Sequence, residues 1–456
     1  MTAFGETHAV PGVYHRPATR AEGFPRVRTD IAGFVGIGGP RHLGEAVAVD
    51  DWKAYVAEYR RDDLGESLAV PAGSALETAV RDFFANGGRR LWIVNVAERV
   101  DAERSDALLN DLLGLNGDER NPRGLELLLR QDEVSIVAIP DFDARHVVVE
   151  DRYAGDDCPP SPCFGRCGET FALAGTAVSE AVFESEQRLF ADDDLIWAQR
   201  YVIQRLQRTR WRWFALLAPP PGLTADRAID WRERLTKGDD EIDMAGLYWP
   251  WLLAQDAPGA RVRTVSPIGS VAGVFAAVDI ASGPHAAPAN RSIEGAIGLD
   301  TPVGDGENAS AYEAGVNVLR DFPGRGITLW GARTLRWQSR ASRGEPLAYV
   351  NARRCLSAIA RSCDVIGQPI VFQPNNTLER IKLHQLLTDY LLRVYRTGAL
   401  MGDAPQDAFF VKIEPVEESP EGQLIAKVGV ALAAPAEFIV FRIGRETGVI
   451  EGEARS

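Results

Sequence analysis

Three continuous apolar runs constrain this chain most: Leu91–Val96 (LWIVNV), Val134–Ile139 (VSIVAI) and Trp213–Ala218 (WFALLA). A strand with one wet face alternates apolar and polar residues, whereas a run without alternation is buried on both faces. Helical stretches fall between the runs. WKAYVAEY follows the capping pair Asp50 and Asp51, Ser74–Asn86 stops at Gly87-Gly88, and Asp194–Gln207 is a long amphipathic segment. This alternation predicts a parallel sheet with helices on both faces. Ile31–Gly38 supplies a strand that runs into a glycine turn, Met244–Trp251 adds another, and a further helix begins at Ser270–Ala277. The stretch Asp143–Thr170, which contains DDCPPSPCFGRC, breaks the rhythm and reads as an inserted loop.

A chain of 456 residues holds two or three domains with a sizeable core. Its net charge of −14 argues against wrapping nucleic acid or resting on anionic lipid. Between Asp321 and Leu400, however, 12 Arg and Lys stand against 5 Asp and Glu. That basic stripe suits either an acidic protein partner or a solvated surface. The opening MTAFGETHAVPGVYHR lacks the apolar stretch of a secretory signal, and no run is long enough to span a membrane, so synthesis in the cytoplasm is expected. An odd count of five cysteines makes no disulfide framework; Cys355 and Cys363 read as small apolar residues of a helix.

Few groupings suggest chemistry. Cys158, Cys163 and Cys167, with His146 upstream, are the ligand types of a structural zinc, but their spacing departs from the usual CxxC knuckle. Ser270 invites a serine-hydrolase reading, yet Ile268 stands where a nucleophile elbow needs glycine, and no histidine has a general-base context. Gly269, Ser270, Ala272 and Gly273 instead suit close helix packing. The acidic cluster Asp192–Asp194 sits where carboxylates favour a helix dipole and needs no metal. No cofactor is expected.

The last third is well specified. Asn376 and Glu379 form a capping-box-like start, and Leu383, Leu386, Leu387, Tyr390, Leu391 and Val394 then recur at helical spacing up to the C-capping Gly398. In Asn351–Ser362, Cys355, Leu356, Ile359 and Cys363 form the apolar side of a second helix. Arg354 and Arg361 project opposite, roughly 10 Å apart along the axis, with Arg353 flanking. Phe438, Ile439, Val440, Phe441 and Ile443 are apolar on both faces of an extended strand. Such a strand must enter a sheet, its own or a neighbour's, or become an aggregation hazard.

The order of these segments resembles the contractile tail sheath family of bacteriophage tails and related injection particles. The resemblance rests on PGVY at 11–14, TDIAGFVGIGGPR at 29–41, RDFFANGGRRLWIVNV at 81–96, VSIVAIPD at 134–141, WFALLAPPPG at 213–222, AGLYWPW at 245–251, and SVAGVFAAVD from 270 with APAN up to 290. It continues through GITLWGARTL at 326–335 and the helices described above to KVGVALAAPAEFIVFRIG at 427–444. The fold it implies is α/β plus α+β: a subtilisin-like α/β sandwich lacking a triad, an α+β C-terminal domain beside an inner tube, and extended terminal arms. The corresponding boundaries are 1–28 for an N-terminal arm, 29–320 for the α/β domain with the loop at about 143–170, 321–435 for the C-terminal domain, and 436–456 for a terminal strand and arm.

The resemblance further implies a structural, non-enzymatic subunit that polymerises helically with itself and with sheath paralogues around an inner tube, meets baseplate and tail-terminator proteins, and contracts. It is expected to assemble in the bacterial cytoplasm and to act in a phage tail or tail-like particle, with no nucleic acid or membrane as partner. Val10, Pro11, Gly12, Val13 and Tyr14, together with Phe438–Ile443, match the strands that such subunits donate to neighbours. Arg353, Arg354 and Arg361, with Lys382, are the candidates for holding an acidic tube. A cryptic serine hydrolase and a zinc-stabilised binding module are the competing functions.

Overall fold

The computed structural model describes residues 27–62, 64–152, 181–209, 212–237, 239, 241–255, 261–339, 342, 344–414, 424–435 and 437. In chain order, β1 (Ala32–Gly36) and β2 (Ala46–Val49) lead into α1 (Trp52–Tyr59) and α2 (Leu76–Ala85). Next come β3 (Leu91–Asn95), α3 (Ser105–Leu113), α4 (Gly124–Leu128), β4 (Ile136–Ala138), β5 (Arg145–Arg152) and β6 (Ala181–Arg188). They are followed by α5 (Asp192–Gln207), β7 (Phe214–Leu217), α6 (Ala225–Thr236), β8 (Ala245–Trp249), β9 (Leu252–Ala254), β10 (Arg263–Val265) and α7 (Ile268–Ala281). Then β11 (Arg291–Ser292), β12 (Ala296–Leu299), α8 (Asp305–Glu313), β13 (Asn317–Phe322) and β14 (Gly326–Leu329) precede a helical unit. That unit comprises α9 (Val350–Gly367), α10 (Thr377–Arg396), α11 (Pro405–Ala408), β15 (Phe409–Ile413) and β16 (Ala426–Val430).

The apolar runs become the middle of a nine-stranded sheet ordered β11-β14-β13-β8-β7-β4-β1-β3-β2. Six neighbours, β13 through β3, run parallel, while β2, β14 and β11 are antiparallel at the two edges. Successive strand residues feed opposite faces, as the strand pleat requires. Phe34, Ile93, Ile136 and Phe214 pack with α1, α2 and α7. Val35, Val94, Val137 and Ala215 pack with α3 to α6 and α8. The sheet expected from non-alternating runs is therefore present, with two cores rather than one.

Local signals hold as well. Asp51 caps α1 by accepting from the Ala54 N–H at 2.6 Å, and Asp192, Asp193 and Asp194 fill the first turn of α5. α7 crosses α2 closely: a Cβ on Gly269 would meet the Ala79 carbonyl oxygen at 2.6 Å, and one on Gly273 the Phe83 carbonyl oxygen at 2.5 Å.

One expectation needs correction. The stretch from Asp143 is not loop from its start, because β5 and β6 pair antiparallel over eight residues each, from Arg145↔Arg188 to Arg152↔Ala181. The turn-rich residues 153–180 between them lie outside the described residues. The arm strands at 10–14 and 438–443 lie outside them too.

The helical unit has its own core of Trp337, Tyr349, Cys355, Ile359, Leu391, Leu400 and Leu432. Asn376 caps α10 through the Glu379 N–H at 3.0 Å; Leu383, Leu387 and Leu391 are buried, and Gly398 at φ +78° ends the helix. Cys355 and Cys363 are free thiols, pushed up to about 12 and about 11 by burial. Beside them β15 and β16 form a two-stranded antiparallel sheet.

Candidate functional site

Among the described residues, the sequence-level candidates for chemistry do not assemble into a reaction centre. In an open α/β sheet, ligands bind beyond the carboxyl ends of the strands, where the strand order reverses. Here that place lies between β1 and β4, and Asp141 fills it. Its buried carboxylate accepts from the backbone N–H of Ile37 and, at 2.6 Å, from that of Ala75 at the start of α2. Burial pushes the Asp141 carboxyl up to about 6 against those N–H groups. The carboxylate thus ties strand to helix instead of facing a crevice.

Ser270 is 1% exposed inside α7, and its hydroxyl has no hydrogen-bond partner. Without a base in contact and without access, it lacks what a nucleophile needs. His146 lies in β5, opposite Gln187, with its Nδ1 unpartnered. Cys158, Cys163 and Cys167 fall outside the described residues. Among the described residues no group of three or more His, Cys, Asp or Glu side chains could hold a metal. None of the helices there is long and apolar enough to cross a membrane.

The basic face expected on α9 is a junction instead. Its first two turns are buried all round, from Val350 to Cys355. Arg353, 2% exposed, reaches Asp243 at 3.0 Å and donates to the Ser357 hydroxyl at 2.6 Å. Arg354, 4% exposed, grips both oxygens of Asp279 at 2.9 and 2.6 Å, donates to the Thr29 carbonyl at 2.9 Å and lies 4.8 Å over the Phe275 ring. Burial pushes Asp279 up from its ordinary value while Arg354 opposes that shift. Arg361 donates to the Asp132 carbonyl at 2.7 Å, to the Arg28 carbonyl at 3.2 Å and to the Ser135 hydroxyl; burial lowers its pKa.

These three guanidiniums therefore join the helical unit to the sheet, and as tube contacts Arg353 and Arg354 are corrected: neither is accessible to an outside partner. Arg361 is committed to backbone and hydroxyl oxygens of the sheet unit. Lys382 alone of the four is exposed, with Glu379 near it at 3.4 Å.

A second junction carried no sequence signal. Arg333, 2% exposed, follows β14, and its guanidinium carbon lies 3.5 Å from the Tyr312 ring centroid and 3.4 Å from that of Trp337. Glu437 takes two bonds from it, Nη2 at 2.7 Å and Nε at 3.1 Å, and also accepts from the Tyr312 hydroxyl. Asn317 holds the Arg333 backbone on both sides, accepting from its N–H at 2.6 Å and donating to its carbonyl at 2.8 Å. A separation of 104 residues between the two charges leaves nothing local to read.

Residues 198–335 match the phage tail sheath protein central domain family. The tail sheath protein of Vibrio phage KVP40 is 22% identical over 222 residues, which cover 44% of this chain; the match spans about a third of that protein's length, 32%. Among solved structures, a chain of the anti-feeding prophage (AFP) baseplate in its contracted state superposes with a TM-score of 0.67 at 20% identity, covering 97% of this chain and 100% of that one. The AFP helical sheath in its contracted state gives 0.64 at 21% identity, over 96% and 100%. The contracted sheath complex of the extracellular contractile injection system PVC gives 0.63 at 21%, over 97% and 99%. At these identities the superpositions establish a shared fold.

Proposed function

We propose that this chain, which carries a phage tail sheath central domain, is the repeating subunit of a contractile sheath: it polymerises helically around an inner tube and drives that tube forward by moving to a shorter, wider packing. The observation that carries the reading is the sheet β15–β16. Among the described residues it has two strands and two outer edges, and a two-stranded sheet is marginal without further pairing. Phe410 in β15 is 60% exposed. The same chain contains an unusually apolar run, Phe438–Ile443, which needs a sheet to enter. Strand addition from a neighbouring copy satisfies both needs at once. A head-to-tail contact of this sort generates an open helical polymer.

In this reading Val10–Tyr14 and Phe438–Ile443 are donated arms, residues 29–320 are a subtilisin-like unit without a triad, and residues 321–435 are the tube-proximal unit. Lys382 is the remaining candidate for a tube contact. Baseplate and terminator proteins are the end partners, and sheath paralogues are companions in the lattice. Energy for movement resides in the packing of alternative lattices, so no nucleotide enters. The hydrolase alternative finds no support in the buried, unpartnered Ser270.

Removing residues 1–16 tests the reading. The expected product is a folded monomer that forms no ordered tubes when mixed with the tube protein and viewed by electron microscopy. Normal polymerisation of the shortened chain would refute strand donation.

A further inference from the structure

Arg361 differs from its two neighbours on α9 in how its charge is met. Arg353 and Arg354 each face a carboxylate, Asp243 at 3.0 Å and Asp279 at 2.6 Å. Arg361 is half-buried, and its acceptors among the described residues are the Asp132 and Arg28 carbonyls and the Ser135 hydroxyl. All three are neutral oxygens, so they hold the guanidinium in place without balancing its charge. A cation withdrawn from water without a counter-charge is costly.

A second cation adds to the imbalance. Arg212, just before β7, lines the same cleft as Arg361, together with Thr29, Ser135 and Ser357. Burial first, and then the Arg212 charge, lower the Arg361 pKa, while Asp132 opposes them. Asp132 pairs with Arg212 at 2.9 Å, but its side chain is 81% exposed, where water screens it. Arg28 is already matched by Asp30, and Arg354 by Asp279. Arg212 and Arg361 thus share one carboxylate, and a positive charge is left over between them.

Shape then selects the ligand. The cleft measures about 240 Å³ with its open mouth, but its inner room of about 10 Å³ admits one atom the size of a water oxygen. That room takes a single oxygen of a larger anion, whose other oxygens stay in the mouth. Guanidiniums present several N–H donors in a fixed fork, which suits an anion with more than one oxygen. We infer that Arg361 and Arg212 form a binding site for a small tetrahedral oxyanion, sulfate or inorganic phosphate in its chemistry. Arg361 belongs to α9, whereas Arg212 and Ser135 belong to the sheet unit, so the bound anion bridges the two units. The site makes their junction responsive to anions, and it stands independently of the sheath reading.

The test is equilibrium dialysis of the full chain against ³⁵S-labelled sulfate, with ionic strength held fixed by sodium chloride. The full chain is compared with Arg361→Gln and with Arg212→Gln, and circular dichroism establishes that each is folded. Arg212 has a side chain 43% exposed, so its replacement spares the fold even where that of Arg361 does not. Saturable binding of about one sulfate per chain is expected, weakened roughly ten-fold or more by either substitution, since each removes a charge-assisted contact. The Tm of the full chain should rise along the same saturation curve, and both variants should lose that rise. A merely structural arginine would lower Tm in every buffer without altering a saturable sulfate response. Absence of saturable binding by the full chain would overturn the site, as would an affinity that either substitution leaves unchanged.

Discussion

Asp141 is buried at the carboxyl end of β4, yet its carboxylate organises two neighbouring backbone segments through the N–H groups of Ile37 and Ala75. Burial holds its pKa at about 6, above the ordinary 3.8, so the folded chain binds this proton more tightly than the unfolded chain does. The stabilisation from that proton is complete below about pH 4 and is lost as the pH rises through about 6. The amount is on the order of 2–3 kcal/mol, since each tenfold gain in proton affinity is worth about 1.4 kcal/mol. Asp141→Asn cannot titrate. In urea unfolding, wild-type stability minus variant stability should fall between pH 4 and 7 and then level off; a difference independent of pH would show that the carboxyl is not perturbed. Asp141 was invisible as a structural residue in the sequence, where Pro140-Asp141 reads only as the end of a strand. Arg354 was visible but misplaced. A helical projection puts it opposite Cys355 and Ile359, and a lone helix would send it to water. Its partner, Asp279, lies 75 residues away and approaches only once α7 is packed.

The contact between α2 and α7 depends on two glycines one turn apart, and here the sequence spoke plainly. Gly269 and Gly273 sit four residues apart, so they share a helix face, and each brings α7 against a carbonyl oxygen of α2. Backbone atoms cannot rotate away as a side chain can. Gly273→Ala should therefore force the helices apart and lower stability by about 1–3 kcal/mol, outweighing alanine's better helix propensity of about 1 kcal/mol. Chemical denaturation measures this directly, and a neutral or stabilising result would show that the two helices are further apart than described. Elements governed by a period or a cap were legible: the non-alternating strands, the Asn376 cap, the core face of α10. Elements defined by a distant partner were not. β5 and β6 are an example, since their pairing spans the turn-rich residues 153–180 and neither strand's neighbours announce the other. Arg333 and Glu437 are another, for each is an ordinary charged residue until α8, β14 and the segment after β16 converge.

At the scale of the molecule, the sheet and the helical unit have separate cores, so their cooperation depends on what crosses between them. Arg353 to Asp243, Arg354 to Asp279 and Thr29, and Arg361 to Asp132 all run from α9 to the sheet unit. The Arg354–Asp279 pair is buried on both sides, and breaking such a pair by removing a single partner costs about 3–5 kcal/mol because the other charge stays behind; Arg353–Asp243 is partly open to water on the Asp243 side. Such pairs add less to stability than apolar packing could, but they allow one arrangement only. The wild-type chain should consequently unfold its two units in a single calorimetric transition. Arg353→Ala with Arg354→Ala should split that transition, with the helical unit melting first because its core is smaller and its sheet has only two strands among the described residues. The intrinsic fluorescence of Trp337, which belongs to the helical core, should then change at a lower temperature than the bulk circular dichroism signal. A double variant that still melts in one step, merely shifted downward, would mean that apolar contacts across the junction couple the units and that the arginines only add to them.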